Sequence, residues 1–124
     1  MRYAISLPHD PGSIPVARRE LRRLEGDIDD TTLRNARLLV SELVTNAVRH
    51  VPADEGDEIE LVVDRDDRRV RIEVADRGPG FVPSPRAPTN ASTSGWGLRI
   101  LDQVAQRWGL AEGPGARVWF ELDT

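Results

Sequence analysis

"DDTTLRNARLLVSELVTNAVRHVP" runs from Asp29 to Pro52. At about 100° per residue, Leu33, Ala36, Val40, Leu43, Val44, Ala47 and Val51 fall on one broad face. Glu42, Asn46, Arg49 and His50 cluster on the other side. The pattern predicts one long amphipathic helix, capped by Asp30 or Thr31 and stopped by Pro52. What flanks this helix decides the fold.

Downstream, "EIELVVD" and "RVRIEVAD" alternate apolar and polar residues. Ile59, Leu61 and Val63, then Val70, Ile72 and Val74, share one side each. A short charged turn, Arg65 to Arg69, joins them, so the pair reads as an antiparallel hairpin with one buried face. A helix from about Trp96 to Gln106 and a second hairpin, "WGLAEGPGARVWFEL", complete the chain, with a turn at Glu112 to Gly115 and a last strand over Arg117 to Leu122. Upstream, Arg2 to Leu7 alternates weakly and reads as a first strand. Ser13 is placed to cap a helix with Pro15 in its first turn. That helix runs to about Leu24, buries Ile14, Ala17, Leu21 and Leu24, and ends at Gly26. The order β-α-α-β-β-loop-α-β-β predicts a two-layer α/β (α+β) sandwich: a mixed, mostly antiparallel five-stranded sheet with three helices on one face. The expectation is a single domain over residues 1–124.

The 124 residues suffice for one core without staples. There is no cysteine, which excludes disulfides and thiolate metal sites. His9 and His50 are too few for a histidine-rich metal site. The net charge of −4 argues against broad binding to a nucleic-acid backbone. The basic stretch "ARRELRRL" reads as the solvated face of a helix. No apolar run approaches the roughly 20 residues of a membrane span, and nothing resembles a signal peptide. The expectation is a cytoplasmic protein.

"DRGPGFVPSPRAPTNASTSGWGL", from Asp76 to Leu98, is a long connection rich in glycine and proline. Taken singly, its parts are weak signals. Asp76-Arg77-Gly78-Pro79-Gly80 is a strand end and a tight turn. Gly95-Trp96-Gly97-Leu98 opens a helix whose first N–H groups and dipole favour anions. Glu42 and Asn46 form a four-residue spacing common on solvated helices. Order changes the reading: Glu-x-x-x-Asn on a helix, then Asp-x-Gly-x-Gly at a strand end, then Gly-x-Gly-Leu opening a helix.

In that order the motifs resemble those of the GHKL ATPases, named for gyrase, the ninety-kilodalton chaperone, histidine kinases and a mismatch-repair ATPase. "ELVTNAVRH" is similar to their N box, "DRGPGF" to their first glycine box and "SGWGLRIL" to their second. The resemblance covers essentially the whole chain and implies a Bergerat-type ATP-binding fold. It implies ATP and Mg²⁺ as cofactors, with Asn46 as the metal ligand. Asp76 would accept a hydrogen bond from the adenine amino group, with Gly78 and Gly80 making room for the base. Gly95, Gly97 and Leu98 would bring the start of the third helix to the phosphates, and residues of about 81–95 would form an ATP lid. Arg49, Arg86 and Arg99 are the arginines near enough in the motif order to reach a phosphate. Glu42 corresponds to the general base.

The wording "SELVTNAVRH" is most similar to the stand-alone anti-sigma-factor serine/threonine kinases. That resemblance implies a sigma factor and an anti-sigma-factor antagonist as partners, the antagonist being phosphorylated on serine. It implies no direct contact with nucleic acid or membrane, and a homodimer through the first strand and helix. The alternative is a non-catalytic ATP-binding module that sequesters a partner. A histidine-kinase catalytic domain would need a separate helix hairpin carrying the accepting histidine, for which 124 residues leave no room. The chain departs from the family in its last hairpin, where relatives often carry a threonine that supports adenine recognition. Here Ala116 and Arg117 stand in that region.

Overall fold

A computed structural model of the chain describes residues 1–50, 58–76, 94–111 and 117–124, the side chains of His50 and residues 94–98 excepted. The elements are β1 (Arg2–Pro8), α1 (Ser13–Glu20), a 3₁₀ turn (Leu21–Leu24), α2 (Asp30–His50), β2 (Glu58–Arg65), β3 (Arg69–Asp76), α3 (Ser94–Val104), β4 (Arg107–Ala111) and β5 (Arg117–Asp123). The five strands form one sheet in the order β1-β2-β3-β5-β4. Among the described residues every strand pair in it is antiparallel, in keeping with the expected mostly antiparallel five-stranded sheet. Two helices in succession between β1 and β2 return the chain to the end where β1 finished, which makes these neighbours antiparallel. Crossing through α3 makes β4 run in the direction of β3. The last strand, β5, then inserts between them and pairs antiparallel with both.

Apolar alternation accounts for the inner face of the sheet. Ile59, Leu61, Val63, Val70, Ile72, Phe120 and Leu122 are buried there, against Leu39, Val40 and Val44 of α2. The central helix α2 packs on α1, α3, β3 and β5. Ala17, Leu21 and Leu24 are buried as the pattern predicts, whereas Ile14 is only partly covered. Leu101 anchors α3, with Ile100 and Val104 beside it. Tyr3, Ile5 and Leu7 of β1 face inward, and the Tyr3 hydroxyl donates to the Glu20 carbonyl of α1 at 3.1 Å. Among the described residues no helix is long and apolar enough to cross a membrane.

Element ends differ from expectation for local reasons. Asp29, rather than Asp30 or Thr31, caps α2: its Oδ2 accepts from Thr32 N at 3.3 Å, and its carbonyl accepts from Leu33 N at 3.0 Å. Ser13 does not cap α1. It is the first helical residue, is buried, and its hydroxyl donates to the Pro8 carbonyl. The first helix tightens into the 3₁₀ turn after Glu20, and Gly26, with φ of 84°, lets the chain reverse before α2. The third helix starts at Ser94 and ends at Val104, because Gln106 N already donates to the Glu121 carbonyl of β5 at 3.1 Å. The turn after β2 is held by Asp66, whose Oδ1 accepts from Arg68 N and Arg69 N at 2.8 and 3.0 Å. Pro52, the turn at 112–115 and Ala116 lie outside the described residues.

The outer face of the sheet is polar and ordered by ion pairs. Glu121 Oε1 accepts from Arg107 Nε at 2.7 Å, with Arg69 and Arg71 at 3.4 and 3.6 Å. The Arg71 guanidinium lies 4.2 Å over the Trp119 ring, and Arg117 pairs with Glu73 at 3.1 Å. Gly109 is required here, since a Cβ would stand 2.9 Å from the Trp119 ring. Burial pushes the Glu121 carboxyl up, but the Arg107 hydrogen bond and the charges of Arg69, Arg107 and Arg71 outweigh it and hold the group below its ordinary value. A depressed folded value means stabilisation that is fully present above the unfolded value of about 4.3. It is lost as the pH falls through the folded value. Glu121→Gln is therefore expected to lower stability by about 1.5–3 kcal/mol near pH 7. The difference from the parent should shrink in urea melts below pH 4 or so; a pH-independent difference would mean that this carboxylate does not sense its arginines.

Candidate functional site

One end of the sheet carries the end of β1, the start of β2 and Asp76 at the end of β3. The first strand ends there at Pro8, which pairs with Glu58 at the start of β2, and Ile59 pairs with Asp76, the last residue of β3. The second helix leads into β2, so its C-terminal half faces this end. The third helix begins there after residues 77–93. The antiparallel pairing of β1, β2 and β3 thus brings parts of the chain that are distant in sequence to one rim.

The half of α2 that leads toward this rim carries Glu42, Asn46 and Arg49. Glu42 and Asn46 are half-buried and Arg49 is exposed. At helical spacing they form one stripe, with neighbouring Cβ atoms about 5–6 Å apart. Val40 and Val44 are buried on the far side of the helix from this stripe, and the buried Leu39 and Leu43 flank it, which leaves Glu42 and Asn46 half-covered. Two hydroxyls along α2 are held back from chemistry: Ser41 Oγ donates to the Arg37 carbonyl at 2.8 Å, and Thr45 Oγ1 to the Ser41 carbonyl at 2.6 Å. Glu42 also borders an open depression of about 560 Å³ between α1 and α2, lined by Arg18, Arg19, Arg37, Leu38 and Ser41. Two of these arginines belong to the basic stretch expected to be a plain solvated face. They are exposed, as that reading requires, but they also form one wall beside Glu42.

At the end of β3, Asp76 is 2% exposed. Burying a carboxylate is costly unless polar groups compensate it. One such group is His9, whose Nε2 stands 3.9 Å from Asp76 Oδ2 and whose side chain is 3% exposed. Sequence reasoning assigned His9 no role at this end of the sheet. The available signal was positional: His9 continues the inward face of Leu7 just past the end of β1.

The helix that opens with "SGWGL" starts two residues earlier than expected. Gly95, Gly97 and Leu98 therefore sit in its first turns rather than just ahead of it. The first four N–H groups of a helix have no intrahelical partner, so the backbone there still offers donors to an anion. The end of the expected lid, Ser94 and Gly95, is helical. The rest of it, with Gly78, Gly80 and Arg86, lies outside the described residues. Arg99 is exposed on α3. Arg117, in the departing hairpin, is committed to Glu73 on the outer face of the sheet. Among the described residues no cluster of three or more His, Asp or Glu side chains is arranged to hold a metal ion.

No curated protein matches the chain. A family model described as a histidine kinase-like ATPase domain matches residues 7–121. The matched span holds His9 and Asp76, which the fold brings together, as well as the Glu42–Asn46 stripe and the glycine-bearing start of α3. The chain belongs to the histidine kinase-like ATPase domain family.

Proposed function

We propose that this protein is an ATP-dependent serine/threonine protein kinase that acts as an anti-sigma factor, holding a sigma factor and phosphorylating an antagonist protein on serine. The observation that carries the kinase half is Glu42: a half-buried carboxylate one helical turn from Asn46, bordering an open depression of about 560 Å³. Family membership supports the ATP ligand, and the wording of the N box supports the partner class.

The residues suit Mg-ATP in their chemistry. Asp76 is a buried acceptor at a strand end, the type of group that an exocyclic amine satisfies. Asn46 offers one hard amide oxygen to Mg²⁺, which keeps several waters and binds phosphate oxygens alongside few protein ligands. The opening turns of α3 offer backbone donors to phosphate. Bound there, ATP supplies the γ-phosphoryl group.

Glu42 takes the proton from an incoming serine hydroxyl, whose oxygen then forms the new bond to phosphorus as the bond to the bridging β–γ oxygen breaks. Phosphoserine and ADP result. Phosphoryl transfer depends mainly on positioning and neutralised charge, and the Glu42–Asn46 stripe serves the first. Arg18 and Arg19 on the facing wall favour an approaching segment that carries acidic side chains.

Calorimetric titration with Mg-ATP, followed in parallel by tryptophan fluorescence, tests the ligand. Asp76→Ala removes a charged hydrogen bond worth about 1.5–3 kcal/mol and should weaken binding roughly ten- to a hundred-fold. No heat from the parent protein would end the nucleotide reading. Binding without transfer to any serine-bearing antagonist would leave a module that only sequesters its partner.

A further inference from the structure

His9 lies on a connector whose neighbours Pro8, Asp10, Pro11 and Gly12 are exposed, yet its own side chain is 3% exposed. Its Nε2 is fully enclosed and has no hydrogen-bond partner among the described residues. Buried polar atoms without partners are uncommon in folded proteins, and each asks for a reason.

Hydrogen bonds on both sides of His9 order the connector's backbone. Asp10 N donates to the Pro8 carbonyl at 2.9 Å, and Ser13 N to the Asp10 carbonyl at 3.1 Å. Gly12 N donates to Asp10 Oδ1 at 2.8 Å, and the Ser13 hydroxyl ties back to Pro8. The ring is thus aimed across β2 at Asp76, and the 3.9 Å between Nε2 and Oδ2 is about 1 Å beyond a hydrogen bond. A small shift of one side chain closes it.

We propose that His9 is a positioning residue for base recognition: it donates Nε2–H to Asp76 Oδ2 and turns the carboxylate so that its other oxygen meets the amino group of adenine. This rests on the nucleotide reading of Asp76 given above. An imidazole that carries its proton on Nε2 is a hydrogen-bond donor. The ligand edge that it selects is an amine on a purine ring.

The test uses the full chain and calorimetry with two magnesium nucleotides: ATP and purine riboside 5′-triphosphate, which lacks the 6-amino group. His9→Phe keeps an aromatic ring and removes the donor; His9→Leu stands in for it if the melting curve shows no folded protein. His9→Gln restores an N–H donor. His9→Phe should weaken ATP about tenfold, the loss of one hydrogen bond to a charged acceptor, while binding of the nucleotide without the amine changes less than about twofold. His9→Gln should recover most of the ATP affinity. Equal losses for both nucleotides would reduce His9 to a structural residue and overturn the proposal. So would an unchanged ATP affinity in His9→Phe while Asp76→Asn still weakens it, and that outcome leaves the nucleotide reading standing. A parent protein that binds neither nucleotide overturns both.

Discussion

Glu42→Ala is expected to slow phosphoryl transfer by about 10²–10⁴-fold, the usual contribution of a general base. The corresponding rise in barrier is about 2.7–5.5 kcal/mol. The site is favourable for a clean measurement. Glu42 is half-buried on a helix face outside the core cluster, and alanine is the better helix former, so the variant should fold as well as its parent. Asp76 lies on another element at the strand end, so ATP affinity should stay within about threefold. Single-turnover formation of ADP, with and without a serine-bearing antagonist, separates the two quantities. A variant that binds ATP normally and transfers phosphate at the parental rate would remove Glu42 from the mechanism. A variant that loses ATP binding instead would make Glu42 a ligand-binding residue.

Phe120→Ala is expected to lower stability by about 3–5 kcal/mol, the range for emptying a buried aromatic site. Phe120 is 0% exposed and pairs with Ile72 on β3 and Trp108 on β4, at the strand that joins the two halves of the sheet. Domains of this kind hold only about 5–15 kcal/mol in total, so the variant should melt at least roughly 10 °C lower. Urea unfolding should show a lower midpoint with an unchanged slope. A loss below about 1 kcal/mol would mean that β5 does not sit between β3 and β4 as described. Nucleotide binding separates this effect from the first: at a temperature where the variant is still folded, Phe120→Ala should bind ATP close to normally.

Much of the architecture is legible locally. The buried face of α2 could be read at 3.6-residue spacing, and the hairpin of β2 and β3 from alternation around a charged turn. These are short-range properties: a helix or strand declares its buried side through its own repeat. The Glu42–Asn46 stripe follows from the same repeat, since four residues return to one side of a helix. The end of a helix is less legible, because Asp29, Asp30, Thr31 and Thr32 are all capable caps and only the entry angle of the chain selects Asp29.

What the sequence by itself determined is the set of elements, the side of each that is buried, and the ordered motifs that mark the family. Each rests on residues that are close together in the chain. Tertiary structure alone decided which strands are neighbours. Nothing in "RVWFEL" says that it inserts between β3 and β4, because any alternating strand can pair with any open edge, and the choice lies in the packing of α3 against α2. It alone decided that His9 meets Asp76. Those residues are remote in sequence and carry no shared pattern; they come within 3.9 Å because β1 and β3 flank the same strand and both end at the same rim.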